Sequence, residues 1–173
     1  SGCPSSGKTI MVSKREVRIE GHRRKFLAVV DSTPECEKAI HYAARRVAAI
    51  DADLVLIFVI VPQDFGHWLG VEDVMRSEGR AAADAALAKG KAWCMEFGGI
   101  TPQTVVREGV PSKCIEDLIE EDHDIALMVL AAGEHKDGPG PLVSAIAGSS
   151  AAFSIPVTVV PATLTDQDID DLV

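Results

Sequence analysis

Apolar residues in this chain form five short runs of strand length. The second and fourth runs are apolar throughout, as expected of strands covered on both faces of a sheet. The third run is weaker, because threonine, glutamine and arginine interrupt it. The pattern therefore predicts strands at residues 26–30, 54–61, 103–107, 125–131 and 157–160.

Segments with helical periodicity fill the gaps between these runs. In residues 34–50 the apolar positions repeat every three or four residues, and Ser32 or Thr33 is placed to cap this helix. An Ala-rich helix is predicted at 71–97 and a shorter one at 111–121. Two glycines mark possible breaks in the long helix, Gly79 and Gly90.

Strands that alternate with helices of this length predict right-handed βαβ units and a parallel sheet. The 173 residues suffice for one such domain, which we place at residues 23–162. Residues 1–22 are polar and broken, and are predicted to be a flexible N-terminal extension. Residues 163–173 form an acidic tail in which Thr165 is placed to cap one helical turn. The tail is either a frayed end or a docking segment for a partner subunit or another protein.

Charge and hydropathy restrict the classes of partner. The net charge of −9 argues against a nucleic-acid partner, and the single basic cluster at residues 22–25 is expected to be a solvated edge of the first strand. The longest apolar runs are far shorter than the roughly 20 residues of a membrane span. We therefore expect neither a nucleic acid nor a membrane as partner.

The four cysteines are scattered without a CxxC pair. This spacing favours reduced, unpaired thiols in a cytoplasmic protein, and it does not suggest a zinc site. The cysteines stand at Cys3, Cys36, Cys94 and Cys114.

Two short motifs imitate functional sites. Residues 2–9 match GxxxxGK[ST] letter for letter, but neither a buried strand before them nor a helical stripe after them is indicated, so we interpret the match as chance. The tail residues Asp166, Asp168 and Asp170 resemble the start of a calcium loop that lacks its glycine and its final glutamate. The sequence thus indicates no metal site and no catalytic constellation.

A glycine-rich loop follows the fourth strand and opens into a helix of small residues. Backbone N–H groups at such a turn can hold an anion, usually a phosphate. Asp31 follows the first strand directly, and ligands of open parallel sheets bind outside the carboxyl ends of the strands. A carboxylate there accepts hydrogen bonds either from a ribose or from the turn that it caps.

Five segments together resemble the universal stress protein family, over roughly residues 24–161. Its signature parts here are Val-Val-Asp-Ser, Phe-Val-Ile-Val-Pro, Glu-Gly-Val-Pro, a fourth strand ending in Ala-Gly, and a closing Ile-Pro-Val-Thr-Val-Val-Pro. The resemblance implies a Rossmann-like α/β open sandwich, whose five-stranded parallel sheet has the order 3-2-1-4-5 with helices on both faces. It also implies a homodimer, often paired through the last strand, and ATP binding in many members.

The resemblance also assigns candidate nucleotide-binding residues. Asp31, next to Ser32, would hold the ribose, and Val59 would contact adenine. Phosphates would lie on a loop of pattern G-x2-G-x9-G-[ST], in which Gly133 fits the first glycine but Lys136 stands at the second. The loop is therefore altered, and two alignments of it are open.

A literal alignment of the loop uses Gly138 with Gly148-Ser149 and leaves about one turn for the following helix. We favour a helix over residues 141–154, because proline suits a first helical position. Ser144 then stands near the family's serine or threonine, in a loop shortened by three residues. Gly138 and Gly140 would supply close backbone approach, although prolines 139 and 141 have no N–H to donate.

The sequence favours a cytoplasmic, dimeric stress-response protein that binds ATP, with Mg possible, and is not a catalyst. The alternative is a universal stress protein without nucleotide, which acts through its dimer surface and acidic tail as an interaction protein. The interrupted glycine loop favours this alternative.

Overall fold

Five parallel strands form one sheet in a computed structural model, which describes residues 15, 20–62, 70–134, 138, 140, 142–144 and 153–173. The sheet order is β3-β2-β1-β4-β5, so the predicted α/β topology is confirmed. At most of the strand ends, the observed bound differs from the predicted one by a single residue, and at the others the two agree. The strands are β1 Lys25–Val30, β2 Asp53–Ile60, β3 Gln103–Glu108, β4 Ile125–Ala132 and β5 Val157–Pro161.

Four helices with described bounds surround the sheet: α1 Cys36–Ile50, α2 Val71–Gly98, α3 Pro111–Glu121 and α4 Asp166–Leu172. The third has the predicted bounds, with proline at its first position. A further helical turn begins near residue 142, where the amide of Ser144 donates to the carbonyl of Gly140 at 3.0 Å. Of the predicted helix over 141–154, residues 142–144 are helical, residues 153 and 154 are not, and the rest lies outside the described residues.

The hydrophobic core has two layers, one on each face of the sheet. Alternate residues of β1 point to opposite faces, as in any strand. Ala28 and Val30 pack with α1 and α2 on one face, whereas Leu27 and Val29 pack with α3 on the other. All four side chains are buried. The central strand is therefore covered on both sides, and only its ends are open to a ligand.

Helix α1 begins without the side-chain cap that the sequence predicts. Its N-cap residue is Glu35, which makes no side-chain capping hydrogen bond. The prediction of Ser32 or Thr33 as the cap is wrong, because the chain makes one more turn first. In that turn the amide and the hydroxyl of Thr33 both donate to Oδ1 of Asp31, and the hydroxyl accepts no hydrogen bond from the helix.

Helix α2 runs through both glycines without a break. A Cβ at Gly79 or Gly90 would lie 2.9 Å from a side chain of β2, on Ile60 or Leu56 respectively. The glycines therefore allow the helix to lie close to the sheet, and the breaks that the sequence suggested do not occur.

Ion pairs surround the amino ends of the strands. Residues 22–24 are exposed, as predicted for the basic cluster. Arg23 pairs with Asp51 at 3.1 Å, and Lys25 pairs with Asp122 at 2.8 Å. The positive charge of Arg23 and Lys25 is thus paired with carboxylates of the same chain.

The N-terminal extension contacts the domain at Arg15. Its guanidinium donates to the carbonyl of Ile119 at 2.8 Å, and its side chain is 15% exposed. Flexibility of residues 1–22 as a whole stays a prediction, since most of them lie outside the described residues.

The acidic tail folds back onto its own domain as α4. Thr165 caps the helix, and a capping box with Asp168 completes the predicted N-terminus. Ile169 is fully buried, whereas Leu172 is 61% exposed. The frayed end is therefore wrong, and the segment docks on α1 of its own chain.

Candidate functional site

Asp31 presents a carboxylate at the carboxyl end of the central strand. It follows β1 directly and its side chain is exposed. Its Oδ1 accepts hydrogen bonds from the amide of Thr33, at 2.9 Å, and from the Thr33 hydroxyl. The turn therefore fixes one carboxylate oxygen, and Oδ2 can accept hydrogen bonds from a ligand.

The position of Asp31 coincides with the reversal of strand order. From β1 the chain proceeds to β2 and β3 on one side, and β4 and β5 lie on the other. Ala28 is in register with Val129, so three residues later Asp31 is level with Ala132, which immediately precedes Gly133. Asp31 and Gly133 thus flank the crevice in which open parallel sheets bind ligands.

Val59 lies on the neighbouring strand at the same edge. Val30 pairs in register with Phe58, so Asp31 is level with Val59. Val59 is half-buried and packs against the core layer that contains α3. It offers an apolar surface at the carboxyl edge, of the kind that a flat base requires.

The glycine-rich loop continues from β4 toward the helical turn at 142–144. Gly138 and Gly140 have φ values of +109° and +107°, which disfavour any residue with a side chain. Ser144 is exposed in the first helical turn. The backbone of the loop is therefore available at the two glycines, whereas positions 139 and 141 contribute no N–H.

Some predicted elements lie outside the described residues. These are the GxxxxGK[ST] match at residues 2–9 and the alternative phosphate register at Gly148-Ser149. Ser32, in contrast, is described and is exposed beside Asp31. The described candidates Asp31, Ser32, Val59 and Gly133 all stand at the carboxyl edge.

Nucleophilic chemistry is not indicated at this edge. Cys36 is the thiol nearest to Asp31 in the sequence, but burial raises its pKa to about 12. Burial likewise raises the pKa of Cys94 to about 12. Both thiols stay protonated at neutral pH and cannot act as thiolates. In the described ranges, no three metal-ligating side chains lie close enough together to hold an ion.

Sequence reasoning missed one polar cluster, around His41 on α1. This histidine is 1% exposed and contacts carboxylates of α4. The one signal in the sequence for burial of this side chain is its position on the apolar face of α1. Its partners are more than a hundred residues away, and no local pattern reveals them.

The sheet order, the helices on both faces and the open carboxyl edge define a Rossmann-like α/β protein of the doubly wound class. The Universal stress protein family model matches residues 22–161. The chain belongs to this family. A search of curated proteins returned no match.

Solved structures with the same fold are similar to this chain at low sequence identity. Universal stress protein UspA from Lactobacillus plantarum has a TM-score of 0.66 and 20% identity, over 80% of this chain and 98% of that chain. A universal stress protein in complex with cAMP has a TM-score of 0.56 and 18% identity, over 80% and 97%.

A third solved relative comes from Arabidopsis thaliana and has AMP bound. Its TM-score is 0.56 at 15% identity, over 80% of this chain and 91% of that chain. Identities this low show the shared fold. Within the described part of the chain, no helix is both long and apolar enough to cross a membrane.

Proposed function

We propose that this protein binds an adenine nucleotide at the carboxyl edge of its sheet and acts as a non-catalytic stress-response module. Asp31, beside Ser32, holds the ribose, and Val59 contacts the adenine. The phosphates lie on the altered loop and on the start of the following helix. The proposed phosphate-side residues are Gly133, Gly138, Gly140 and Ser144.

The observation that carries this proposal is the geometry of Asp31. Thr33 fixes one oxygen of an exposed carboxylate at the point where strand order reverses. These contacts are those of a carboxylate that caps its own turn, and they leave Oδ2 open to a ribose hydroxyl. A fixed acceptor also loses little conformational freedom when a ribose hydroxyl binds to it.

Solved relatives support the choice of ligand. One is described in complex with cAMP and another with AMP bound. Both ligands contain adenine, ribose and a phosphate, the three groups for which the edge offers Val59, Asp31 and the loop. ATP with Mg is the larger ligand that we propose for the same site.

A second candidate function is favoured by the loop itself. Prolines at 139 and 141 remove two N–H groups from the segment that would hold the phosphates. With too few donors, the protein would act without nucleotide, through its dimer surface and α4. The two functions differ in whether the loop contributes binding energy.

The proposed module is a cytoplasmic homodimer. Strand β5 is at one edge of the sheet, and its Val159 is 40% exposed. An edge strand with open backbone groups pairs readily with a second copy. Cys36, Cys94 and Cys114 are free thiols, as expected in a reducing compartment.

Thermal unfolding in increasing Mg-ATP tests the proposed function, with AMP as a second ligand and GTP as the control. A ligand that binds only the folded state stabilises it by about 2.7 kcal/mol at a hundredfold excess over Kd. For a chain of this length, we expect a rise in Tm of about 5–10 °C.

The three nucleotides separate the candidate functions. A rise with ATP and AMP but not with GTP supports an adenine site with a working loop. A rise with AMP alone indicates a site that accepts one phosphate. No rise with any of them up to millimolar concentration contradicts nucleotide binding and favours the interaction protein.

A further inference from the structure

His41 is the single buried polar side chain among the residues that the structure describes. It lies on the face of α1 that packs against α2 and α4. Its ring stacks on Phe97 of α2, with 3.9 Å between ring centroids and an interplanar angle of 9°. Burial of a polar ring in an apolar layer is costly unless both nitrogens are satisfied.

Both ring nitrogens of His41 face carboxylates of α4. Nε2 lies 2.9 Å from Oδ1 of Asp170, at hydrogen-bond distance. Nδ1 lies 3.4 Å from Oδ1 of Asp166, within ion-pair range but outside hydrogen-bond geometry. The two aspartates are four residues apart and so share one face of the helix.

A neutral imidazole has one N–H and cannot donate to both carboxylates. When Nε2 donates to Asp170, the lone pair of Nδ1 points toward the negative Asp166. A second proton converts this repulsive contact into an attractive one, because both nitrogens then donate. The face of Phe97 also attracts a cation.

Other charges around His41 limit the effect of that proton. Lys38 lies 3.0 Å from Asp166, and Arg45 lies 2.8 Å from Asp170. These cations on α1 repel an imidazolium, and they already compensate part of the negative charge. Two carboxylate oxygens and an aromatic face that contact the ring attract an imidazolium, whereas burial of the ring opposes the charged form.

We propose that His41 is a proton-controlled clasp for the C-terminal helix. When the ring is doubly protonated, α4 is held tightly on α1. When the ring loses a proton, the Asp166 contact weakens, and α4 opens more often. Opening would expose the apolar surface beneath Ile169, which is fully buried in the docked state.

The carboxylates stay charged throughout the relevant pH range. The hydrogen bond from Arg45, together with that from His41, lowers the pKa of Asp170 to about 2. The stability that Asp170 contributes is therefore present above its unfolded pKa and is lost only as pH falls through about 2. The interaction with Lys38 likewise lowers the pKa of Asp166. Between about pH 5.5 and pH 8, imidazole is the group that ordinarily titrates.

Amide hydrogen exchange of residues 166–172 in the full chain measures the opening of α4. After correction for intrinsic exchange rates, we expect protection to be about tenfold greater at about pH 5.5 than at about pH 8. Amides of β1 serve as the internal reference, because they report global unfolding. Equal protection of α4 at both pH values would overturn the proposal.

Three variants test the clasp, and one of them is a control for a general effect of charge. Asp166→Asn supplies an amide N–H to the neutral ring, so α4 should be protected at both pH values. Asp171→Asn makes the same change of charge on the same helix without facing His41, and should keep the wild-type pH dependence. If Asp166→Asn keeps that dependence, the clasp is wrong. His41→Gln should remove it, provided that the β1 amides show an intact fold.

Discussion

Replacing Asp31 with alanine is expected to lower the affinity for AMP by about 10- to 100-fold, the range that corresponds to loss of a hydrogen bond to a charged group. The variant removes the acceptor for the ribose and leaves the apolar surface and the loop unchanged. Isothermal titration calorimetry with AMP and with Mg-ATP measures the loss. The fold should change little, because Asp31 is exposed and its side-chain hydrogen bonds go to Thr33 in an exposed turn.

The matched control for this variant is Asp53→Asn. Asp53 is the first residue of β2 and so lies at the amino ends of the strands, opposite the proposed site. There it pairs with Arg23 at 3.2 Å. Its neutralisation changes the net charge without touching the proposed site, and should leave affinity within about twofold of the wild type. Unchanged affinity in Asp31→Ala, or an equal loss in both variants, contradicts the ribose assignment.

Gly98→Ala should destabilise the protein by about 2 kcal/mol, which lowers Tm by about 4–8 °C. A Cβ at position 98 would lie 2.6 Å from the carbonyl oxygen of Ala44. This oxygen belongs to the backbone of α1 and, unlike a side chain, cannot rotate out of the way. Helices α1 and α2 would have to separate, which disturbs the core layer that contains both. Chemical denaturation monitored by circular dichroism measures the loss.

Gly90→Ala is the control on the same helix. A Cβ there would lie 2.9 Å from the end of the Leu56 side chain. That side chain can move to another rotamer. The gain in helix propensity, up to about 1 kcal/mol, offsets this adjustment. We expect stability within about 1 kcal/mol of the wild type. If both variants are equally stable, the close approach of α1 and α2 at Gly98 is wrong.

The strands and most helices could be predicted because their signals are local. The apolar runs of β2 and β4 and the proline that opens α3 are read within a few residues, and the structure confirms them. The uncapped start of α1 could not be foreseen. Thr33 was suited either to cap the helix or to hydrogen-bond to Asp31 in the preceding turn, and the structure shows the second.

The remaining misses depend on partners that are distant in sequence. Gly79 and Gly90 marked possible breaks in the long helix, because the side chains of β2 that lie against them are not visible in the local sequence. The sequence left the acidic tail as either a frayed end or a docking segment for another chain, because the basic stripe that it covers lies far upstream. This stripe consists of Lys38, His41 and Arg45. Periodicity indicates burial but not the partner across an interface.

At the candidate site, the sequence alone placed Asp31 and the glycine-rich loop at strand ends. The family resemblance added Val59 and the roles of the individual loop glycines. The register of the sheet then brings Asp31, Val59 and Gly133 to one edge. What each residue contacts in a bound ligand stays a prediction, because the strand order locates a binding crevice but does not identify the ligand.

The most direct test of nucleotide binding at this edge is an amide NMR titration of the full chain with AMP. We predict that chemical-shift changes concentrate at the amides of residues 31–33, 58–60 and 132–134, and that the amide signals of α4 do not shift. Shifts confined to other parts of the molecule, or none up to millimolar AMP, would contradict the proposed site.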